Sequence, residues 1–86
     1  GYSGAPIVNT VSAGSTFVRG TAGANATVTV YDASGITLGS TTAGNTGIYN
    51  VTLNRALRAG EVITVEAKEA GRAARTTNYT VGGQAV

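Results

Sequence analysis

What most constrains this chain is a strict two-residue alternation between branched aliphatic and hydroxyl-bearing side chains, interrupted at regular intervals by glycine. In Thr27-Val28-Thr29-Val30 the two valines fall on one face of an extended chain and the two hydroxyls on the other. Tyr49, Val51 and Leu53 share a face, with Ile48, Asn50 and Thr52 opposite. Ile63, Val65 and Ala67 form a third row and Tyr79 with Val81 a fourth. A helix needs apolar residues three and four apart over several turns. Only Leu53 and Leu57 have that spacing, across a single turn. With fourteen threonines, whose β-branching favours pleated backbone, the chain reads as all-β.

Turn-forming residues cluster at 12–15, 22–25, 32–35, 44–47, 59–60 and 70–71. Strands are therefore expected near residues 7–11, 16–21, 26–32, 37–41, 48–53, 62–68 and 75–81. That makes about seven, with starts roughly ten residues apart, the rhythm of an all-β sandwich or barrel. Each strand has one apolar and one polar face, so two antiparallel sheets must stack with their apolar faces together. The expected core is Ile7, Val18, Val28, Val30, Leu38, Tyr49, Val51, Leu53, Leu57, Ile63, Val65, Tyr79 and Val81. These fill one thin layer and leave no room for an internal cavity, so any ligand must bind on loops, edges or outer faces. Pro6 lacks an amide hydrogen and belongs just ahead of the first strand.

With 86 residues the chain makes one domain, at 5–81, and no internal repeat is visible. Residues 1–4 and 82–86 read as linker, glycine-rich at both ends. Because the chain starts at Gly1, it is expected to be a segment of a longer protein, or to carry a short vector remnant in Gly1-Tyr2-Ser3-Gly4. No apolar run approaches the ~20 residues that span a bilayer, so membrane insertion is not expected.

Composition narrows the chemistry. The sequence has no cysteine and no histidine, which removes thiolate chemistry, disulfide staples and the usual general base. Hydroxyls are plentiful, but none has an activating partner in the sequence, and an enzyme is not expected. The net charge of +2 comes from five Arg and Lys68 against Asp32, Glu61, Glu66 and Glu69, with no basic run. Nucleic acid is therefore not an expected partner.

Several segments taken together resemble a known family. They are Ala5-Pro6-Ile7-Val8, Val18-Arg19-Gly20-Thr21-Ala22, Ala26-Thr27-Val28-Thr29-Val30-Tyr31-Asp32, Gly35, Leu38-Gly39, Gly47-Ile48-Tyr49-Asn50-Val51-Thr52-Leu53, Leu57, Gly60, residues 62–67 and Ala70-Gly71. Their order resembles the bacterial immunoglobulin-like (Big-type) repeats of surface proteins and adhesins, over residues 5–81. The resemblance implies an immunoglobulin-like β-sandwich and a spacer or adhesive repeat, often one of many in tandem. Relatives often place Asn after the acidic stretch that corresponds to residues 67–71, where this chain has Arg72. Four scattered carboxylates fall short of the six or more oxygens calcium prefers, so no metal or other cofactor is expected.

Five constellations invite a functional reading. Gly44-Asn45-Thr46-Gly47 lacks the lysine and following helix of a phosphate loop, and reads as a hairpin turn. Lys68 is the single lysine, and some surface domains crosslink Lys to Asn in a buried acidic pocket. Alternation puts Lys68 with Glu66 on the solvent face instead. Arg55 with Arg58, and Arg72 with Arg75, lie in two loops that a sandwich could bring together as a cationic patch for an acidic glycan. The plainer reading is solvated arginines covering apolar edges. Once Tyr49 and Tyr79 turn inward, only Tyr31 and Tyr2 remain for stacking on a sugar, too few for a sugar site by themselves. The triplets starting at Asn25, Asn50 and Asn78 match the glycosylation acceptor pattern, which carries little weight in a chain this rich in Asn and Thr.

The expected role is a monomeric, non-catalytic spacer repeat of a larger secreted or cell-surface bacterial protein, partnered by neighbouring domains of the same chain. Two alternatives stand beside it. One is a module that binds a surface glycan or host protein through Arg55, Arg58, Arg72, Arg75 and Tyr31. The other is an accessory domain of a secreted hydrolase or toxin.

Overall fold

The computed structural model of the chain describes residues 1–83, and those residues form seven strands and no helix. The strands are β1 (Ile7–Val8), β2 (Phe17–Thr21), β3 (Thr27–Tyr31), β4 (Thr37–Thr42), β5 (Ile48–Thr52), β6 (Val62–Lys68) and β7 (Arg75–Thr80). One sheet has the order β1-β2-β5 and the other β4-β3-β6-β7, with every neighbouring pair antiparallel. The result is an immunoglobulin-like sandwich in which β4 lies beside β3 rather than at the edge of the β5 sheet.

Register follows from the alternation. Val18 of β2 faces Val51 of β5. Val28 and Val30 of β3 sit opposite Ala67 and Val65 of β6, and Ile63 opposite Tyr79 of β7. A one-residue slip would turn each of these rows out to water, so the apolar pattern itself fixes the pairing. Val18, Val28, Val30, Val51, Ile63, Val65 and Ala67 are wholly buried between the sheets. Burying each of the valine and isoleucine side chains is worth about 1.5–3 kcal/mol, before the entropy of ordering the chain is subtracted. Val11, Ala26, Leu38, Ala43, Leu53, Leu57 and Val81 close the ends of this layer.

The expected core is right in all but two members. Tyr79 is only partly buried, and Ile7 is 64% exposed. Pro6 is buried and Val8 partly so, which leaves Ile7 on the outward step of the pleat. β1 is also shorter than the five-residue strand expected: the Asn9 amide still donates to the Arg19 carbonyl at 2.9 Å, and beyond it the chain leaves β2 and reaches Gly82 beside Ser12.

Two connections are true hairpins within the four-stranded sheet. In the β3–β4 turn, Asp32 Oδ1 accepts the amides of Ser34 and Ile36, both at 2.9 Å, a side chain standing in for ladder partners. The β6–β7 turn closes through Arg72 N–H to the Glu69 carbonyl at 3.1 Å. The segment 44–47 is a turn with Gly47 at φ +86°, as its sequence implies, but it carries the chain from one sheet to the other rather than forming a hairpin.

The molecule is elongated, 42 × 25 × 18 Å. One end, here the upper pole, gathers the β3–β4 turn, the β5–β6 segment and the exit of β7. The other, the lower pole, gathers the β2–β3, β4–β5 and β6–β7 turns.

The poles and the terminal segments as candidate site

No pocket opens among the described residues, and no three metal-ligating side chains come together there. The polar chemistry is concentrated at the two poles and along the seam joining them.

The arginines do not converge. Arg55 and Arg58 belong to the segment before β6, whereas Arg72 and Arg75 follow it. β6 spans seven residues, so the two groups are held about 20 Å apart, at opposite poles. The single cationic patch expected from sequence is therefore two separate groups. Tyr31 is half-buried on the outer face of the four-stranded sheet, between Thr37 and Thr64, at the Arg55 end.

At the upper pole Arg55 is already engaged. Its Nη1 and Nη2 donate to the two Glu61 oxygens, each at 2.8 Å, in a two-pronged pair, and Asp32 lies 3.9 Å from Nη2. Glu61 also accepts the Arg58 backbone amide at 2.6 Å. The Arg55 hydrogen bond is the main reason the Glu61 carboxyl titrates at about 2 instead of the usual 4.5; burial opposes it, and the Arg58 amide and the two guanidinium charges add to it. A carboxyl with a lowered folded-state pKa stabilises the fold above its unfolded pKa, and that contribution fades as pH falls through the folded value. We expect melting temperature to decline between about pH 4.5 and 2, with Glu61→Gln flattening that decline; thermal melts at stepped pH check it.

The lower pole carries Lys68, Arg72 and Arg75 against Glu69, a local surplus of positive charge, whereas Arg55 and Arg58 at the upper pole face Asp32 and Glu61. Arg75 lies over the exposed Tyr2 ring, 5.2 Å from its centre. A second such pair, Arg19 over Phe17 at 4.2 Å, occupies the outer face of the three-stranded sheet. Lys68 is exposed, as its place in the alternation requires.

Residues 1–4 and Gly82 are hydrogen-bonded to the sandwich. Ser3 is buried at 2% exposure, and Tyr2 bridges Ala73 in parallel register. The Ser3 amide donates to the Ala73 carbonyl at 2.7 Å, and the Ala73 amide to the Gly1 carbonyl at 2.9 Å. Ser3 Oγ accepts the Glu69 amide at 2.8 Å, while Glu69 Oε2 accepts the Gly4 amide at 2.9 Å. Residues 1–4, expected as linker, are thus docked on the lower pole. At the other end Gly82 bridges Ser12, again in parallel, donating to the Val11 carbonyl and accepting from Ala13, both at 2.9 Å. Residues 84–86 of the expected second linker lie outside the described residues.

Between these points three side chains hold the N-terminal segment. The Thr77 hydroxyl donates to the Pro6 carbonyl at 2.6 Å. The Tyr79 hydroxyl accepts the Val11 amide at 2.9 Å, and the Tyr49 hydroxyl donates to the Ile7 carbonyl at 2.7 Å. Burial pushes the Tyr49 hydroxyl up to about 12, so it remains a donor at any ordinary pH. Sequence reasoning placed Tyr49 and Tyr79 in the core and went no further. The missed signal was that an inward tyrosine must find a partner for its hydroxyl.

The comparisons with known proteins agree with this architecture. Residues 4–83 match the family model described as "Bacterial Ig domain". A search of curated proteins finds no match. Among solved structures, one described as "Biofilm associated protein - BSP domain" superposes with a TM-score of 0.81 at 22% identity. The match takes in 99% of this chain but 15% of that one, so this domain corresponds to a small part of a much longer protein. Strand order, register and the near-complete family match lead to one conclusion: the chain belongs to the bacterial Ig domain family.

Proposed function

We propose that the domain is a non-catalytic spacer repeat of a larger secreted or cell-surface bacterial protein, holding neighbouring domains apart. The carrying observation is the placement of the chain ends. The N-terminus is docked beside Ala73 at the lower pole, and the described chain leaves beside Ser12 at the upper pole. Nine residue steps from Ala73 to Gly82 along β7 separate the two points by about 30 Å. Domains joined through such ends stack in line, each adding its long axis to the total length. Family membership supports this reading, as does the solved neighbour, described as part of a biofilm-associated protein. Solution scattering from two tandem copies tests it: an extended pair upholds the spacer, and a pair folded back side by side overturns it.

A binding role has one specific observation in its favour. The lower pole joins its local surplus of positive charge to the Arg75–Tyr2 stack, a combination suited to an acidic sugar. Arg72, Arg75 and Lys68 would carry such an interaction, without Arg55, which Glu61 already holds.

A further inference from the structure

We propose that the seam between residues 1–13 and β7 is a clamp that resists pulling along the long axis, with the Tyr79 and Thr77 hydroxyls as its bolts. The proposal rests on the spacer reading, because only a domain loaded through its two ends would use such a seam.

The geometry carries it. The N-terminal segment runs from the lower pole to the upper, from Tyr2 to Ser12, and β7 with its flanks runs the same way from Ala73 to Gly82. The bridges at both limits are parallel. Tension applied at the ends draws the first segment downward from Gly1 and the second upward through Gly82. Two neighbouring parallel segments drawn in opposite directions slide along one another. Bonds crossing the seam then share the load at once, whereas in a peeling geometry they would break one after another.

Those bonds are spread along the whole seam. At the bottom are Ala73 N–H to Gly1 O, Ser3 N–H to Ala73 O, Glu69 N–H to Ser3 Oγ and Gly4 N–H to Glu69 Oε2. At the top are Gly82 N–H to Val11 O and Ala13 N–H to Gly82 O. In the middle the chain swings over to pair with β2, Ile7 with Thr21 and Val8 with Gly20, and backbone bonding to β7 lapses. That is where Thr77 reaches the Pro6 carbonyl and Tyr79 takes the Val11 amide. The two side chains bridge the stretch that backbone pairing leaves open. Tyr49 fixes the same segment to the other sheet through the Ile7 carbonyl, so the segment cannot swing away while it is being sheared.

Single-molecule pulling along two axes tests the clamp. One axis joins the chain ends; the other joins cysteines placed at Ser34 and Thr46, exposed turn residues at opposite poles beside β4. Tyr79→Phe and Thr77→Val should each speed unfolding under fixed end-to-end load on the order of fivefold, the effect of losing one hydrogen bond. Both should leave unfolding along the Ser34–Thr46 axis within about twofold, since that load bypasses the seam. Thr77→Ser keeps the hydroxyl and should restore the parent rate. Equal acceleration on both axes would overturn the clamp, since it would mean only general destabilisation, and so would unchanged end-to-end rates. If tandem copies remain extended while the clamp fails this test, the spacer reading survives it.

Discussion

Gly20→Ala is expected to lower stability by about 3 kcal/mol, and to lower the melting temperature of a domain this size by about 12–24 °C. Gly20 lies in β2, buried beneath the N-terminal segment and paired with Val8 on one side and Tyr49 on the other. A Cβ there would fall well inside contact distance of the Ile7 carbonyl oxygen and 2.6 Å from the Tyr49 hydroxyl. The obstacle includes main chain, which cannot swivel aside as a long side chain would. The methyl group must displace β1, break the Tyr49–Ile7 hydrogen bond, or both. The second outcome leaves a buried phenol without a partner, which alone costs about 1–3 kcal/mol. Chemical denaturation of parent and variant measures the loss. A change below about 1 kcal/mol would show that β1 is not held as described.

Gly47→Ala should cost about as much, for a different reason. Gly47 turns the chain from the four-stranded sheet to the three-stranded one at φ +86°, where a side chain is strained by about 1–2 kcal/mol. A Cβ would in addition collide with the Ala22 carbonyl oxygen. Gly47 cannot move away, because its amide donates to the Gly44 carbonyl at 2.9 Å and its carbonyl accepts from Ala22 at 2.8 Å. Gly35 separates the two contributions. It has a similar φ of +83° with nothing within 4 Å, so Gly35→Ala should show the backbone strain alone. Denaturation midpoints for the two variants should therefore differ, with the Gly47 variant the less stable by roughly 2 kcal/mol. Equal losses would mean that the Ala22 contact relaxes freely.

The fold was legible because its information is local and repeated. Alternation such as Thr27-Val28-Thr29-Val30 declares both the strand and its inward face, and glycines such as Gly35, Gly60 and Gly71 mark turns at positive φ. β2 to β7 accordingly lie within a residue or two of their expected places. Ile7 was misread because a two-residue strand has too little pattern to show its phase, and Pro6 takes the inward step ahead of it. The docking of residues 1–4 was hidden for a related reason. A Gly- and Ser-containing stretch looks like linker until Glu69, more than sixty residues away, supplies the partners that bury Ser3. The distance between the Arg55 and Arg72 groups depends on which loops share an end of the sandwich, a property of strand order that no single segment encodes. The polar seam was hidden in the same way, since Thr77 and Tyr79 meet Pro6 and Val11 across about seventy residues.

The spacer reading depends on Gly1 and Gly82 lying at opposite poles. Small-angle scattering from two copies joined end to end through residues 83–86 tests that most directly. The predicted maximum dimension is close to twice the 42 Å long axis of one copy. A pair hardly longer than a single copy would place the ends together and contradict it.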